Sequence, residues 1–96
     1  HTYSRISYLW DDWLTCWDGL SALVVLETYA AREKPLPGYS AADLAAAIRG
    51  VETVYASDFD DAAAKARAPA RRGAVVFTIG AGDVVEVGPK LLELLR

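Results

Sequence analysis

With 96 residues the chain is sized for one domain, and a chain this short buries only about 60 to 65% of its unfolded surface, so its core is thin. Its 53% hydrophobic and 24% charged residues suit a folded protein and exclude a disordered one. The net charge of -3, with ten Lys and Arg scattered rather than striped, offers no basic field for a phosphodiester backbone and excludes nucleic acid as an expected partner.

The most apolar run, 20–26, is far short of the roughly 20 residues a membrane-spanning helix needs, and the N-terminus shows no basic and apolar targeting signal. The chain therefore reads as soluble and cytoplasmic, without a membrane partner. A single cysteine, Cys16, cannot form an internal disulfide. Lying between Trp13, Leu14 and Trp17 with no neighbouring His, it reads as a buried structural thiol.

In chain order, Ile6, Leu9, Trp10, Trp13, Leu14 and Trp17 recur at steps of three and four, which predicts one helix over 4–17 stopped by Gly19. The Val-rich run 22–28 predicts a strand covered on both faces. Pro35, Pro37 and Gly38 enforce a loop. Ser40 and Asp43 form a capping pattern ahead of an Ala-rich helix reaching Ile48 and Arg49, with Gly50 as its stop.

A second strand follows at 53–56, then a helix over 59–68 that Asp58 caps and Pro69 closes. The apolar run AVVFTI at 74–79 predicts a third buried strand, and 89–95 the last helix. Alternation of this kind predicts an α/β fold of Rossmann-like type, a mostly parallel sheet flanked by helices and joined by right-handed crossovers. Three strands make a narrow sheet, so the domain over 1–96 is expected to be incomplete. An unpaired sheet edge then predicts recruitment of a complementary fragment or self-association.

Ligands of parallel α/β sheets gather beyond the carboxyl ends of the strands, which directs attention to three turns. Ala56-Ser57-Asp58 is an ordinary strand-to-helix cap. Gly80-Ala81-Gly82-Asp83 resembles a phosphate-cradling turn, yet it lacks the third glycine of a dinucleotide fingerprint and the Lys-Ser/Thr of a P-loop. Its plain reading is a tight turn capped by Asp83.

The turn at 29–38 holds Arg32, Glu33 and Lys34 on a proline-stiffened frame, where Arg32 and Glu33 could serve as a solvated pair or line a cleft. Arg5 lies near the start of the first helix, where the macrodipole disfavours a cation. Its neighbours at three and four residues on, Tyr8 and Leu9, offer no carboxylate, which leaves room for a non-local partner. His1 offers a hydrogen-bonding group at a terminus that tends to be mobile.

Three separated segments together resemble the third domain of the Mur ligases, the ATP-dependent enzymes of peptidoglycan precursor synthesis, and in particular those that join L-alanine to UDP-N-acetylmuramate. The first is His1, Tyr3, Ser4 and Arg5; the second Tyr29, Ala31, Glu33, Pro35 and Gly38; the third Gly80, Ala81, Gly82 and Asp83. The resemblance spans essentially the whole chain and implies that the domain's N-terminal strand and helix, its P-loop domain and its UDP-sugar domain all lie outside it.

The resemblance further implies that the complete enzyme uses ATP and magnesium to activate the sugar's lactyl carboxylate for attack by the amine of L-alanine. This portion would close over the site and orient the amino acid, with Arg5 and His1 as substrate-binding residues and Glu33, Arg32, Gly80, Gly82 and Asp83 as cleft-lining ones. No catalytic residue, metal ligand or bound cofactor is expected in this chain alone, which should be inactive by itself. Ile6 and Glu86 depart from the pattern, standing where threonine and lysine are frequent. A related ligase that recycles murein peptides onto the same sugar, and a non-catalytic binding module of the same fold, are the alternative expectations.

Overall fold

The computed structural model describes residues 2–96. Helices α1 (Tyr3–Tyr8) and α2 (Trp10–Thr15) precede strand β1 (Ala22–Leu26), helix α3 (Ala41–Ala47) and strand β2 (Glu52–Ala56). Helix α4 (Phe59–Ala66) and a 3₁₀ turn (Gly82–Glu86) then lead into helix α5 (Val87–Leu95). The strands pair in parallel, with Ala22 opposite Glu52 and Leu26 opposite Ala56, and Glu27 N–H extends the ladder to the Ala56 carbonyl at 2.9 Å. A right-handed crossover through α3 is the ordinary way to connect such a pair.

Helix α3 starts where the sequence places a cap. The Ser40 hydroxyl oxygen accepts from Asp43 N–H at 3.0 Å while the Asp43 carboxylate accepts from Ser40 N–H at 3.2 Å, a reciprocal capping box. It ends at Ile48, whose backbone is extended, and Gly50 makes the turn at φ +87°. Asp58 caps α4 by accepting from Asp61 N–H at 2.7 Å.

Two faces hold the molecule together. Val24 and Leu26 of β1 join Ala56, Ala62, Ala63, Val87 and Leu91 in one apolar cluster, which seats α4 and α5 on the sheet. Ala41, Leu44 and Ile48 are buried where α3 meets both strands. The small residues matter: Ala56, Ala62 and Ala63 are at most 2% exposed, so the helix and strand backbones approach closely.

Four expectations are corrected. The single helix over 4–17 bends at Leu9, whose φ of -104° and ψ of 18° leave the helical region. The bend carries α2 toward α3, where Trp10 meets the Tyr39 ring edge-on at 5.3 Å and Trp13 stacks on Trp17 at 5.8 Å. Cys16 is exposed rather than buried, standing at the C-cap where α2 ends.

The third correction is the largest. Residues 74–79 form no strand, and Val75, Phe77 and Ile79 are 78%, 73% and 78% exposed. The apolar run has strand propensity but, among the described residues, no neighbouring strand supplies the hydrogen bonds a ladder requires. Lastly, the tight turn at Gly80–Asp83 is present but Asp83 does not cap it: Ala81 holds the N-cap position of the 3₁₀ turn, and no side-chain capping hydrogen bond is made there. Among the described residues no helix is long and apolar enough to cross a membrane.

Candidate functional site

Helix α1 begins without a cap of its own. Thr2 occupies its N-cap position, but its hydroxyl reaches the Ser4 hydroxyl at 3.5 Å and caps no backbone N–H, and the first turn holds no acidic residue. Its exposed N–H groups need an acceptor from elsewhere. Glu33, 29 residues along the chain, supplies it: Oε1 accepts from Ser4 N–H at 3.1 Å. A second tie lies beside it, where Thr2 N–H donates to the Tyr29 carbonyl at 2.8 Å. The turn after β1 is thereby fastened to the start of α1.

Backbone strain marks the same junction. Thr2 at φ +64° and Ala31 at φ +56° are the non-glycine residues with positive φ among those described, one on each side of the two ties. A β-branched residue in that region costs free energy of order 1 to 3 kcal/mol and persists only where surrounding contacts hold it. Glycine would relieve the strain at either position, and neither position has it.

Hydrogen bonding from the Ser4 side chain first, and from its backbone N–H next, holds the Glu33 carboxyl below its ordinary pKa of 4.5. A carboxyl depressed in the folded state stabilises the junction above pH 4.5 and loses that effect as pH falls through its lowered value. A titration of the Glu33 carboxyl followed by NMR should therefore show a midpoint below 4.5, with the Ser4 amide resonance moving at the same pH. A midpoint at or above the ordinary value would mean that the tie is absent in solution.

Arg5 stands at the third position of the six-residue α1, exposed, with no partner for its guanidinium among the described residues. The short helix gives it little dipole to oppose. Arg32 is exposed in the fastened turn and forms no ion pair with Glu33, whose carboxylate is engaged by Ser4 instead. His1 lies outside the described residues. The structure thus brings Arg5, Arg32 and Glu33 to one junction.

No hydrogen bond or ion pair joins Gly80, Gly82 or Asp83 to that junction among the described residues. They lie at the turn packed on α5, with Gly82 at φ +79° and Gly80 close against Val84, whose Cγ1 would sit 3.2 Å from an added Cβ. Asp83 is exposed and makes no cap.

A polar cluster that sequence reasoning missed occupies the carboxyl end of the sheet. The Tyr55 hydroxyl donates to Glu27 Oε2, whose other oxygen accepts from Thr28 N–H at 2.8 Å. Lys65 Nζ donates to the Tyr55 carbonyl at 2.6 Å and to Asp61 Oδ2 at 3.0 Å. The register, which sets Val25 opposite Tyr55, was the only signal, and it exists only once the strands are paired.

The bond to Glu27 is the main cause that pushes the Tyr55 pKa up to about 12. A phenol raised from 10.0 to about 12 contributes its stabilisation below pH 10 and loses it as pH rises toward 12. Ultraviolet titration of the chain's five tyrosines should accordingly end on a late step near pH 12 that disappears in Tyr55→Phe. A profile unchanged by that substitution would place the late step elsewhere.

A parallel strand pair flanked by helices, with sequence-distant turns tied together near the carboxyl end of β1, defines part of a Rossmann-like α/β domain. No protein-family model matches the chain. Over its whole length it is 41% identical to the UDP-N-acetylmuramate–L-alanine ligase of Anaeromyxobacter dehalogenans, covering 21% of that protein. Over 97% of its length it is 39% identical to the corresponding ligase of Caldanaerobacter subterraneus and 38% identical to that of Clostridium perfringens, again over 21% of each. The chain belongs to the UDP-N-acetylmuramate–L-alanine ligase family, as a portion that spans about a fifth of the length of the relatives it matches.

Proposed function

We propose that this chain is the amino-acid-orienting portion of a ligase that joins L-alanine to UDP-N-acetylmuramate. The observation that carries the reading is the double tie of Thr2 and Ser4 to Tyr29 and Glu33. It converts two segments of the family resemblance into one strained junction that displays Arg5 with a free guanidinium. A planar, always-charged fork suits a carboxylate, and L-alanine carries one. Arg5 meets that carboxylate, with His1 beside it in sequence, and Glu33 fixes the helix from which Arg5 projects.

This is a positioning role. Holding the amino acid so that its amine faces the activated acyl carbon removes translational and rotational freedom before reaction, which can supply a large part of a rate enhancement. Closure of this portion over the rest of the ligase excludes water and completes the site. The residues described do not fit ATP and magnesium: no group of three His, Cys, Asp or Glu is gathered to hold a metal ion among them, and the sequence has no Gly-Lys-Ser/Thr loop. The reading assigns both to the remaining four-fifths of the ligase, together with the UDP-sugar.

The test compares the full-length ligase with the isolated chain. The full-length protein should form UDP-N-acetylmuramoyl-L-alanine and consume ATP with free L-alanine, and the isolated 96 residues should do neither. Turnover by the isolated chain would end the reading. Use of a murein tripeptide with rejection of free alanine would transfer it to the peptide-recycling ligase, and failure of either substrate would favour a non-catalytic binding module.

A further inference from the structure

The three residues that lead into Arg5 are each held by a different part of the chain. Thr2 N–H donates to the Tyr29 carbonyl at 2.8 Å, and Ser4 N–H donates to Glu33 Oε1 at 3.1 Å. Between them Tyr3 is 8% exposed, and its phenol lies near enough to Tyr55 to add to the rise in the Tyr55 pKa that the bond to Glu27 chiefly causes. Thr2 and Ala31 keep positive φ angles of +64° and +56°, a strained arrangement that persists only where neighbouring contacts enforce it. Where α1 starts, and so where Arg5 stands, is set from the turn after β1 rather than by α1 itself.

That turn needs an anchor of its own. The parallel ladder ends at Glu27, whose N–H makes the last rung to the Ala56 carbonyl at 2.9 Å, and Thr28 N–H lies beyond it. The Glu27 carboxylate supplies the acceptor there, with Oε1 at 2.8 Å from Thr28 N. Glu27 is exposed and its side chain is long, so one bond alone would leave it free to swing into solvent. Tyr55 prevents this by donating its hydroxyl to Oε2, which engages both carboxylate oxygens and fixes the group. The register makes the bond possible: Tyr55 pairs with Val25, so Glu27 is its diagonal neighbour on the same face, within reach of a long side chain. Thr28 is 9% exposed and directly precedes Tyr29, so the anchor acts one residue before the first tie to α1.

We propose that Tyr55 is a positioning residue for the L-alanine site, which it serves through Glu27 by fixing the start of the turn that fastens α1 and thereby the place of Arg5. This rests on the reading of Arg5 as the residue that meets the alanine carboxylate. Tyr55 itself touches no substrate. Losing its hydroxyl leaves Arg5 and its charge intact and lets the turn and α1 shift together. A displaced guanidinium loses its two-pronged geometry before it loses its attraction, so alanine is held less well while ATP is unaffected.

The experiment measures the full-length ligase carrying Tyr55→Phe or Glu27→Ala, the two together, and each combined with Arg5→Ala. Tyr55→Phe should lower kcat/KM for L-alanine by about three- to ten-fold, in the same kinetic constant that Arg5→Ala alters and with KM for ATP unmoved. Glu27→Ala, at an exposed position, should show at least as large a fall, and adding Tyr55→Phe to it should change nothing more, because Tyr55 acts only through Glu27. In the Arg5→Ala background Tyr55→Phe should have no further effect on alanine. Hydrogen exchange at the Thr2 and Ser4 amides should quicken in Tyr55→Phe, since both ties loosen. With the Arg5→Ala loss in place, unchanged alanine kinetics in Tyr55→Phe, an equal loss with and without Arg5, or a change in a different kinetic constant would each overturn this proposal and leave the Arg5 reading standing. Wild-type alanine kinetics in Arg5→Ala would sink both.

Discussion

Arg5→Ala in the full-length ligase is expected to lower kcat/KM for L-alanine by about ten- to a hundred-fold or more, while KM for ATP moves little. A charge-assisted hydrogen bond lost on substrate binding is worth roughly 1.5 to 3 kcal/mol, and each 1.4 kcal/mol is a factor of ten. Arg5 is exposed and without a partner among the described residues, so its removal leaves no buried charge behind and any loss reports on substrate. Arg5→Lys keeps the charge and loses the fork, and should recover only part of the rate.

The split between the kinetic constants tells where the contact is made. A rise in KM for alanine with kcat unchanged means that the guanidinium holds the ground-state carboxylate, whereas a fall in kcat alone means that the contact forms only in the transition state. Wild-type kinetics for all three substrates, with only thermal stability altered, would remove Arg5 from the site. Glu33→Gln supplies an internal comparison: it weakens the tie to Ser4 without touching the guanidinium, so it should produce a smaller loss of the same kind.

The second large effect concerns the core. Leu91→Ala is expected to destabilise the chain by about 2 to 5 kcal/mol, the usual range for emptying a packed leucine site. Leu91 is 4% exposed and packs in the cluster with Ala56, Ala62, Ala63 and Val87. Three of those neighbours are alanines on regular backbone, which cannot swing inward to fill the space. A chain of this size has a total stability of order 5 to 14 kcal/mol, so one substitution removes a large share of it.

For a domain under 100 residues each kcal/mol lowers Tm by about 4 to 8 °C, which places the expected fall at roughly 10 °C or more. Leu92→Ala, one residue along α5 but 64% exposed, should change Tm little. Thermal and urea unfolding of the pair checks the prediction. Equal losses for both substitutions would mean that α5 does not seat its Leu91 face on α4 in solution.

Local features of the fold were legible wherever neighbours in sequence do the work. The Ser40–Asp43 box and the Asp58 cap are hydrogen bonds made within one turn, so residue type and spacing suffice to foresee them. Strands β1 and β2 came from runs of Val, Leu and Tyr, with errors confined to their ends. The same propensity gave the wrong answer at 74–79, because a strand is completed by its neighbour and propensity carries no information about one. Asp83 misled for a related reason: an acid after two glycines resembles a turn cap, but the backbone puts Ala81 at the N-cap of the 3₁₀ turn and leaves Asp83 inside it.

For the candidate site, sequence alone determined which residue types recur together: the charged turn after β1, the arginine of α1, and the resemblance that the ligase relatives bear out. What only the tertiary structure decided is that Glu33 spends its carboxylate on Ser4 rather than on Arg32, leaving Arg5 free, and that no hydrogen bond ties the Gly80–Asp83 turn to that junction among the described residues. The same holds for the Tyr55–Glu27 bond, which awaits the parallel register. The physical reason is common to all three. An ionisable side chain goes to whichever partner the fold brings within about 3 Å, and over a separation of 29 residues that partner is chosen by the path of the backbone, not by the chemistry of its sequence neighbours.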